Sequence, residues 1–192
     1  MADANTNAVQ KLYISYFGRP ADTGGLAYWT AALTANPDAL QEMSRQFSLS
    51  QEYAAAYAGM DNRAKVVEAY DKLFSRAAEA AGVDYWANLL DTNQMTADNM
   101  VTAIAAGSLG NDRIAFNGKV AAAEVFTSRL DLPNEQLAYS GAAANAIAAN
   151  WIATIRDLLT GAAAQDVGVV DGVIAQIVGA PPLGMADPGW IA

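Results

Sequence analysis

The chain has 192 residues, enough to bury a sizeable core, and its 20 acidic against 11 basic residues give a formal net charge of −9. This balance disfavours a nucleic acid partner, because phosphate binding needs clustered Lys and Arg. Neither Cys nor His occurs, which excludes disulfides, thiolate and imidazole metal sites, cysteine catalysis and a Ser-His-Asp triad.

The N-terminus begins with a small, polar stretch, MADANT, that we expect to be a frayed lead-in. It has no basic region followed by an apolar one, so it does not encode a cleaved secretory signal. No uninterrupted apolar run of about 18 residues occurs anywhere in the chain, which argues against a membrane-spanning helix. If the protein is exported, its export signal lies elsewhere.

An internal duplication organises the first two thirds of the chain. The segment VQKLYISYFGRPADTGGLAYW at residues 9–29 recurs without a gap at 66–86 as VVEAYDKLFSRAAEAAGVDYW. Each copy opens with apolar and aromatic residues at helical spacing, which predicts an amphipathic helix with its aromatic face inward. Gly18 and Pro20 end the first of these helices, and a second helix follows a tight loop.

The duplicated loop contains the residues that we interpret as architectural. An Arg and an acidic residue lie three positions apart in each copy, where a charge pair or an arginine bond to loop carbonyls fixes the turn; direct ligand contact is the rival interpretation. The duplicated tryptophans are predicted to be core anchors, with a sugar platform as the rival. The motif residues are Arg19, Asp22, Gly25, Trp29, Arg76, Glu79, Gly82 and Trp86.

Further helices are predicted along both copies. In the first copy Asn36 caps a helix that starts at Pro37, and Ser50 begins a short helix closed by Gly59. In the second copy helices are predicted over residues 62–75, 82–90, 96–107 and 111–130.

Pro133 breaks the chain after the duplication. A long helix is predicted from residue 141 to 159, with Leu158 on its buried face and Gly161 as its stop. A last helix over 166–178 is preferred to a strand because no partner strand is visible. Trp190, in an irregular tail, is expected to dock on the bundle.

These patterns predict an all-α, multi-helix bundle built on a duplicated helix-loop-helix unit. Its parts are a first repeat, a second repeat, C-terminal helices packed on the repeats and an irregular tail, within one compact domain. The corresponding ranges are 1–60, 61–131, 132–179 and 180–192.

The motif F-G-R-x-x-D followed by G-L-x-Y-W resembles the DUF4214 family, bacterial domains of secreted calcium-repeat and surface-layer proteins. The second copy lacks the glycine and proline of the loop, which leaves its loop open to a different shape. The segments AYDKLFSRAAEAAGVDYWANLL and YSGAAANAIAANWIATIRDLLTG are similar to the helical, cell-anchoring N-terminal region of surface-layer proteins of the Caulobacter type. The resemblance covers about residues 8–160.

The resemblance implies an extracellular module that anchors a surface-layer or related secreted protein by binding lipopolysaccharide O-polysaccharide in a groove between helices. Such proteins leave through a type I system with an uncleaved C-terminal signal. The chain shows no Gly-Gly-x-Gly-x-Asp repeat, which leaves open that it is a fragment of a longer protein. The candidate glycan-binding residues are Tyr53, Tyr57, Asn62, Tyr139, Asn145 and Asn150.

Two other functions stay open. Tyr53 and Tyr57 are also suited to helix packing, and the bundle would then self-associate, as in a surface lattice, or dock a partner chain with no glycan site. A concentration-dependent mass would distinguish this alternative. A helical spacer attached to an exported enzyme or adhesin is the third, minor interpretation.

The sequence offers no catalytic constellation. No carboxylate pair has a spacing that indicates acid–base chemistry, and the glycine-rich spots lack a P-loop lysine, so we expect a non-enzyme. The sequence establishes no cofactor, and calcium stays open at residues 91–99 and 59–62, although the EF-hand pattern is missing. Helix capping by Asp61, Asp91 and Thr96 is the rival explanation.

Overall fold

The computed structural model describes residues 3–179 apart from the side chain of Asp98. Every regular element in that part of the chain is an α-helix, which confirms the predicted all-α class. The predicted tail with Trp190 lies outside the described residues. The twelve helices are α1 (Ala4–Phe17), α2 (Thr23–Ala35), α3 (Ala39–Ser48), α4 (Gln51–Ala56), α5 (Asn62–Phe74), α6 (Ala80–Asp91), α7 (Ala97–Gly107), α8 (Gly110–Arg129), α9 (Pro133–Ala138), α10 (Gly141–Ala153), α11 (Leu158–Ala164) and α12 (Val167–Gly179).

The duplication is visible as two successive sets of four helices, α1–α4 and α5–α8. It extends into the third helix of each set, because Met43 and Met100, also 57 positions apart, are both fully buried. The fourth helices differ, since α4 has 6 residues and α8 has 20. The added length lets α8 pack against α1 and α5 of the repeats and against α10, α11 and α12 beyond them.

Aromatic side chains form the core of the first copy. The ring of Phe47 lies 4.9 Å from that of Tyr13 and 4.7 Å from that of Phe17, between centroids. Such edge and tilted contacts are favourable geometries for aromatic pairs. The second copy replaces Phe47 with Ile104, which is also buried, so its core is more aliphatic. The aromatic face of the first helix therefore points inward, as predicted.

The helix-ending corner has the same backbone shape in both copies. Gly18 caps α1 with φ 66°, and Ser75 caps α5 with φ 53°, both in the left-handed region. A non-glycine residue there costs roughly 1 kcal/mol. The loss of glycine in the second copy therefore did not change the loop, and the duplicated corner holds Ser75 in a conformation that glycine adopts freely.

Two helix starts agree with the prediction and one does not. Ser50 and Asp61 cap α4 and α5 by accepting hydrogen bonds from the N–H groups of Tyr53 and Ala64. The predicted start at Pro37 is wrong, since α3 begins at Ala39. Asn36 instead accepts a hydrogen bond from the N–H of Asp38 and forms a turn before the helix.

The predicted helix over 141–159 is two helices, because α10 ends at Ala153 and α11 begins at Leu158. Leu158 is 69% exposed rather than buried. Gly161 is not a stop but lies inside α11, where an added Cβ would be 3.2 Å from the Cα of Gly118. This close approach to α8 fixes the position of α11, and the spacing of apolar residues in the sequence could not predict it. Helix α9 was not predicted. Helix α12 confirms the preference for a helix over a strand at residues 166–178.

No single described helix has the length and apolarity to cross a membrane. Helices α11 and α12 pass that test only when taken together, and they meet at a 65° bend.

Candidate functional site

The duplicated arginines form the most regular feature of the molecule. Arg19 donates two hydrogen bonds to the Glu52 carboxylate, at 2.7 and 2.8 Å, and Arg76 donates two to Asp112, at 2.6 and 2.7 Å. In each copy the third donor group bonds the carbonyl of the following residue, Pro20 or Ala77. A planar guanidinium commonly forms two parallel hydrogen bonds of this kind with a carboxylate.

The predicted loop pair occurs in only one copy. Arg76 contacts Glu79 at 2.8 Å, but Arg19 pairs with Glu52 on α4 and not with Asp22. Asp22 is instead the N-cap of α2 and accepts a hydrogen bond from the N–H of Gly25. Arg19 is nearly buried, which acts to lower the pKa of its guanidinium, but the hydrogen bonds and charges of Glu52 and Tyr139 together raise that pKa. The predicted arginine bonds to loop carbonyls are confirmed in both copies.

The duplicated glycines accommodate tyrosine hydroxyls. A Cβ on Gly25 would overlap the hydroxyl of Tyr13, and one on Gly82 would lie 2.9 Å from that of Tyr70. Trp29 is buried in the core, as predicted. Trp86 is half-buried and donates from Nε1 to the Tyr70 hydroxyl at 3.3 Å. The motif residues are therefore largely packing residues.

The predicted glycan residues between the copies are not brought to a groove. Tyr53 and Tyr57 are buried, and the Tyr53 hydroxyl donates to the carbonyl of Ala97. Burial raises the pKa of Tyr57, whose hydroxyl has no hydrogen-bond partner among residues 3–179. Asn62 donates to Asp91 at 2.7 Å. These tyrosines serve packing, the rival role that their helical spacing allowed.

Two of the three later candidates meet the duplicated corner. A pocket of about 370 Å³, called here the corner pocket, contains Tyr139 and Asn145 but not the exposed Asn150. The amide of Asn145 makes no hydrogen bond within the described chain and faces this pocket free to bind. The full lining of the corner pocket is Arg19, Asp22, Thr23, Gly24, Gln136, Tyr139, Ser140, Gly141 and Asn145.

Tyr139 ties the C-terminal helices to the first repeat. Its hydroxyl donates to the carbonyl of Pro20 at 2.8 Å, and its ring packs edge-on against Phe126. Burial raises the pKa of Tyr139 to about 12, although the nearby Arg19 cation works against this. Tyr139 is 4% exposed, so little of its side chain is available to the corner pocket.

A larger groove of about 1150 Å³ runs between α1, α2, α8 and α11, and we call it the threonine groove. Its walls carry hydroxyl and amide side chains over an apolar floor, and Glu124 is the single charged residue in its lining. The Glu124 carboxylate accepts a hydrogen bond from Asn7 at 2.7 Å. The lining is Thr6, Thr23, Leu26, Ala27, Thr30, Ala31, Thr34, Ala35, Ala121, Glu124, Val125, Thr127, Ser128 and Gln165.

The threonine groove and the corner pocket share the lining residue Thr23 and are therefore neighbours, and we call the two together the trough. The hydroxyls of Thr6 and Thr23 make no hydrogen bonds within the described chain. Sequence reasoning missed this surface, although Thr23, Thr30 and Thr34 recur at helical spacing on a helix with no charged residue. The threonine spacing on α2 could have indicated this surface. Nothing in the sequence indicated which residues of α8 and α11 would complete it.

A lysine that does not line the trough is fully buried. Lys119 on α8 is 0% exposed and donates from Nζ to the carbonyl of Lys72 at the end of α5, at 2.6 Å. Burial lowers the pKa of its ammonium to about 8, although Asp71 acts in the opposite direction. The carbonyl end of a helix favours a cation, which explains why lysine is tolerated there.

The described side chains contain no group of three acidic residues that could hold a metal ion. At the segments considered for calcium, Asp61 caps α5, as the rival explanation required. Asp91 is bound by Asn62 rather than capping a helix. Thr96 occupies the N-cap position of α7 but accepts from the Asn99 side chain, not from a backbone N–H.

Two overlapping segments of the chain, residues 2–57 and 44–108, match the model of one protein family, described as a domain of unknown function (DUF4214). Together they span 2–108, more than half of the 192 residues, and each includes one copy of the duplicated corner. Neither a curated protein nor a solved structure matches the chain. One family model thus covers the aromatic helix, the arginine corner and the duplication. The chain belongs to the DUF4214 family.

Proposed function

We propose that this chain is an extracellular anchoring module that binds lipopolysaccharide O-polysaccharide without cleaving it, attaching a surface-layer or related secreted protein to the cell. The trough formed by the threonine groove and the corner pocket is the proposed binding surface. The role on the cell surface follows from the resemblance to cell-anchoring regions. The trough is the surface that we propose for that role.

The observation that carries the proposal is a groove on an acidic protein whose lining has one charged residue and several hydroxyl and amide side chains. Thr34, Thr127, Ser128 and Gln165 donate to backbone carbonyls, whereas Thr6 and Thr23 leave their hydroxyls available. Seven of its fourteen lining residues are neutral hydroxyl or amide side chains, and six are apolar. Sugars need this mixture, because their hydroxyls pair with polar groups while their C–H faces cover apolar surface. Two neighbouring concavities also suit a chain of sugars better than a single small molecule.

Binding without hydrolysis fits the acidic groups of the trough. Asp22 accepts the capping hydrogen bond of α2, and Glu124 accepts from Asn7. Both carboxylates are held as acceptors by protein donors. Glycoside hydrolysis instead needs one carboxylic acid kept protonated opposite a second carboxylate across the sugar.

The groove can be tested by blocking it. Ala27 is exposed in the groove, so Ala27→Arg should fill it and reduce binding of purified O-polysaccharide by at least about tenfold in calorimetric titration, a loss of roughly 1.4 kcal/mol. Ala54→Arg makes the same change at an exposed alanine outside the groove and should bind as the unmodified chain does. Equal binding by both variants, or no binding by the unmodified chain, would reject the proposal.

The corner pocket has its own matched pair. Asn145→Ala removes a free amide from the pocket, whereas Asn150→Ala removes an exposed amide outside it. We expect the first to weaken polysaccharide binding about five- to tenfold, the effect of one lost hydrogen bond, and the second to leave it unchanged. The reverse order would move the site away from the corner.

Self-association is the second candidate function, and exposed leucines favour it. Leu137 on α9 and Leu159 on α11 are both largely exposed. A contiguous patch of such apolar side chains would mark a protein contact. A mass that rises with concentration in light scattering, and falls when both leucines are changed to serine, would support this function. A constant monomer mass would exclude it.

A further inference from the structure

Two tyrosines outside the trough occupy equivalent positions in the two repeats and are both exposed. Tyr28 on α2 is 64% exposed and Tyr85 on α6 is 59% exposed. Each ring stands edge-on to the tryptophan that follows it, Trp29 or Trp86, with 5.0 Å between centroids in both copies. The duplication therefore preserves the residue, its exposure and its geometry together.

The edge-on contact with the tryptophan accounts for an aromatic residue at both positions but leaves most of each ring exposed. The two copies have diverged even in the core, where Tyr16 corresponds to Leu73, and in the corner, where Gly18 corresponds to Ser75. An exposed tyrosine contributes less to folding than either of those. A large aromatic ring with a polar tip is well suited to an interface, where it supplies contact area at low entropic cost.

Each ring is more than half exposed. The residues one helical turn from Tyr28 are Gly24, Gly25, Ala31 and Ala32, and those one turn from Tyr85 are Ala81, Gly82, Asn88 and Leu89. None of the neighbours of Tyr28 has a side chain longer than a methyl group, whereas Tyr85 has Asn88 and Leu89 within one turn. Helix α2 also has no charged residue, so no charge on that helix takes part in contacts with the Tyr28 ring.

We infer that Tyr28 and Tyr85 are two equivalent stacking platforms for sugar rings of one repeating polysaccharide. This inference rests on the proposed function and adds two contacts outside the trough. An open aromatic face takes the C–H face of a pyranose, while the phenol hydroxyl reaches a sugar hydroxyl. A repeating polymer presents the same unit many times, so the trough and both tyrosines can engage one chain and strengthen binding by avidity.

The test compares a long polymer with a short one. O-polysaccharide and its single-repeat oligosaccharide are titrated into the unmodified chain, into Tyr28→Ala/Tyr85→Ala and into Tyr28→Phe/Tyr85→Phe. The alanine pair should bind the long polymer about 10- to 100-fold more weakly and the oligosaccharide within about twofold of the unmodified chain. The phenylalanine pair retains the ring and should keep most of the polymer affinity. Thermal melting checks that all three chains are folded.

Several outcomes would overturn the inference. Unchanged polymer binding by the alanine pair would remove the tyrosines from the site while leaving the trough proposal intact. An equal loss for polymer and oligosaccharide would show that the tyrosines do not act through avidity. A dimer in the absence of polysaccharide that becomes monomeric in the alanine pair would assign them to self-association. Failure of the unmodified chain to bind any polymer would instead reject the proposed function.

Discussion

The hydroxyl of Tyr13 occupies the space that a side chain on Gly25 would need, and Tyr70 stands in the same relation to Gly82. Each tyrosine lies on the first helix of its copy and each glycine in the first turns of the second. The contact therefore fixes the short distance between the two helices. Glycine at this position is a packing requirement and not a turn signal.

This relation predicts unequal effects of one substitution. Gly25→Ala should destabilise the chain by about 1–2 kcal/mol, because overlap with Tyr13 exceeds the gain in helix propensity. Gly82→Ala should cost less, because its added Cβ would lie 2.9 Å from the Tyr70 hydroxyl, a smaller overlap that a slight shift of the Tyr70 ring relieves. Urea unfolding measures both. Adding Tyr13→Phe to Gly25→Ala should restore part of the loss; no restoration would place the clash elsewhere.

The two arginine–carboxylate pairs should also differ. Arg19 has 10% of its side chain exposed and Arg76 has 33%. Arg19→Lys breaks a buried two-point contact and should cost about 3 kcal/mol, whereas Arg76→Lys should cost about 1 kcal/mol or less after solvent screening. The midpoints of denaturant unfolding give the comparison. Equal losses would mean that burial does not decide the strength of these pairs.

Lys119 makes stability depend on pH. Its pKa is about 8 in the folded chain, below the ordinary 10.5, so the unfolded chain binds more protons between these values and folding strengthens as pH rises through that window. Below pH 8 both states are protonated and burial of the ammonium costs roughly 3 kcal/mol. The unmodified chain should therefore gain stability relative to Lys119→Met between pH 7.5 and pH 9.5, on the order of 1–2 kcal/mol.

Melting of the two chains at matched pH measures this difference. The comparison stays below pH 10 because burial raises the pKa of Tyr13 and of Tyr57, whose contribution is lost at high pH. A constant difference across the range would show that the Lys119 ammonium is not desolvated.

The contact between α8 and α11 gives a prediction with an internal control. Gly161→Ala places a Cβ 3.2 Å from the backbone of Gly118 and should destabilise the chain by about 1 kcal/mol, since backbone cannot move aside as a side chain can. Gly172→Ala, in α12 with open space around it, should stabilise by about 0.5–1 kcal/mol. Protease digestion near α11 would report the first change locally. Stabilisation by both would mean that α11 is not held by this contact.

The sequence by itself determined what depends on neighbouring residues. Apolar spacing predicted the helices of both copies, and short-range hydrogen bonding predicted the caps at Ser50 and Asp61. The repeated motif led to the family. These features are local, because a helix, a cap or a repeated motif needs only residues a few positions apart.

Only the tertiary structure decided which distant groups meet. Arg19 pairs with Glu52, 33 positions away, rather than with the nearby Asp22, because helix packing places α4 against the corner. The same packing buried Tyr53 and brought Asn145 to the corner pocket. Spacing along a helix shows which residues share a face but not what that face meets. The threonine groove, built from helices far apart in the chain, therefore exists only once the bundle is packed.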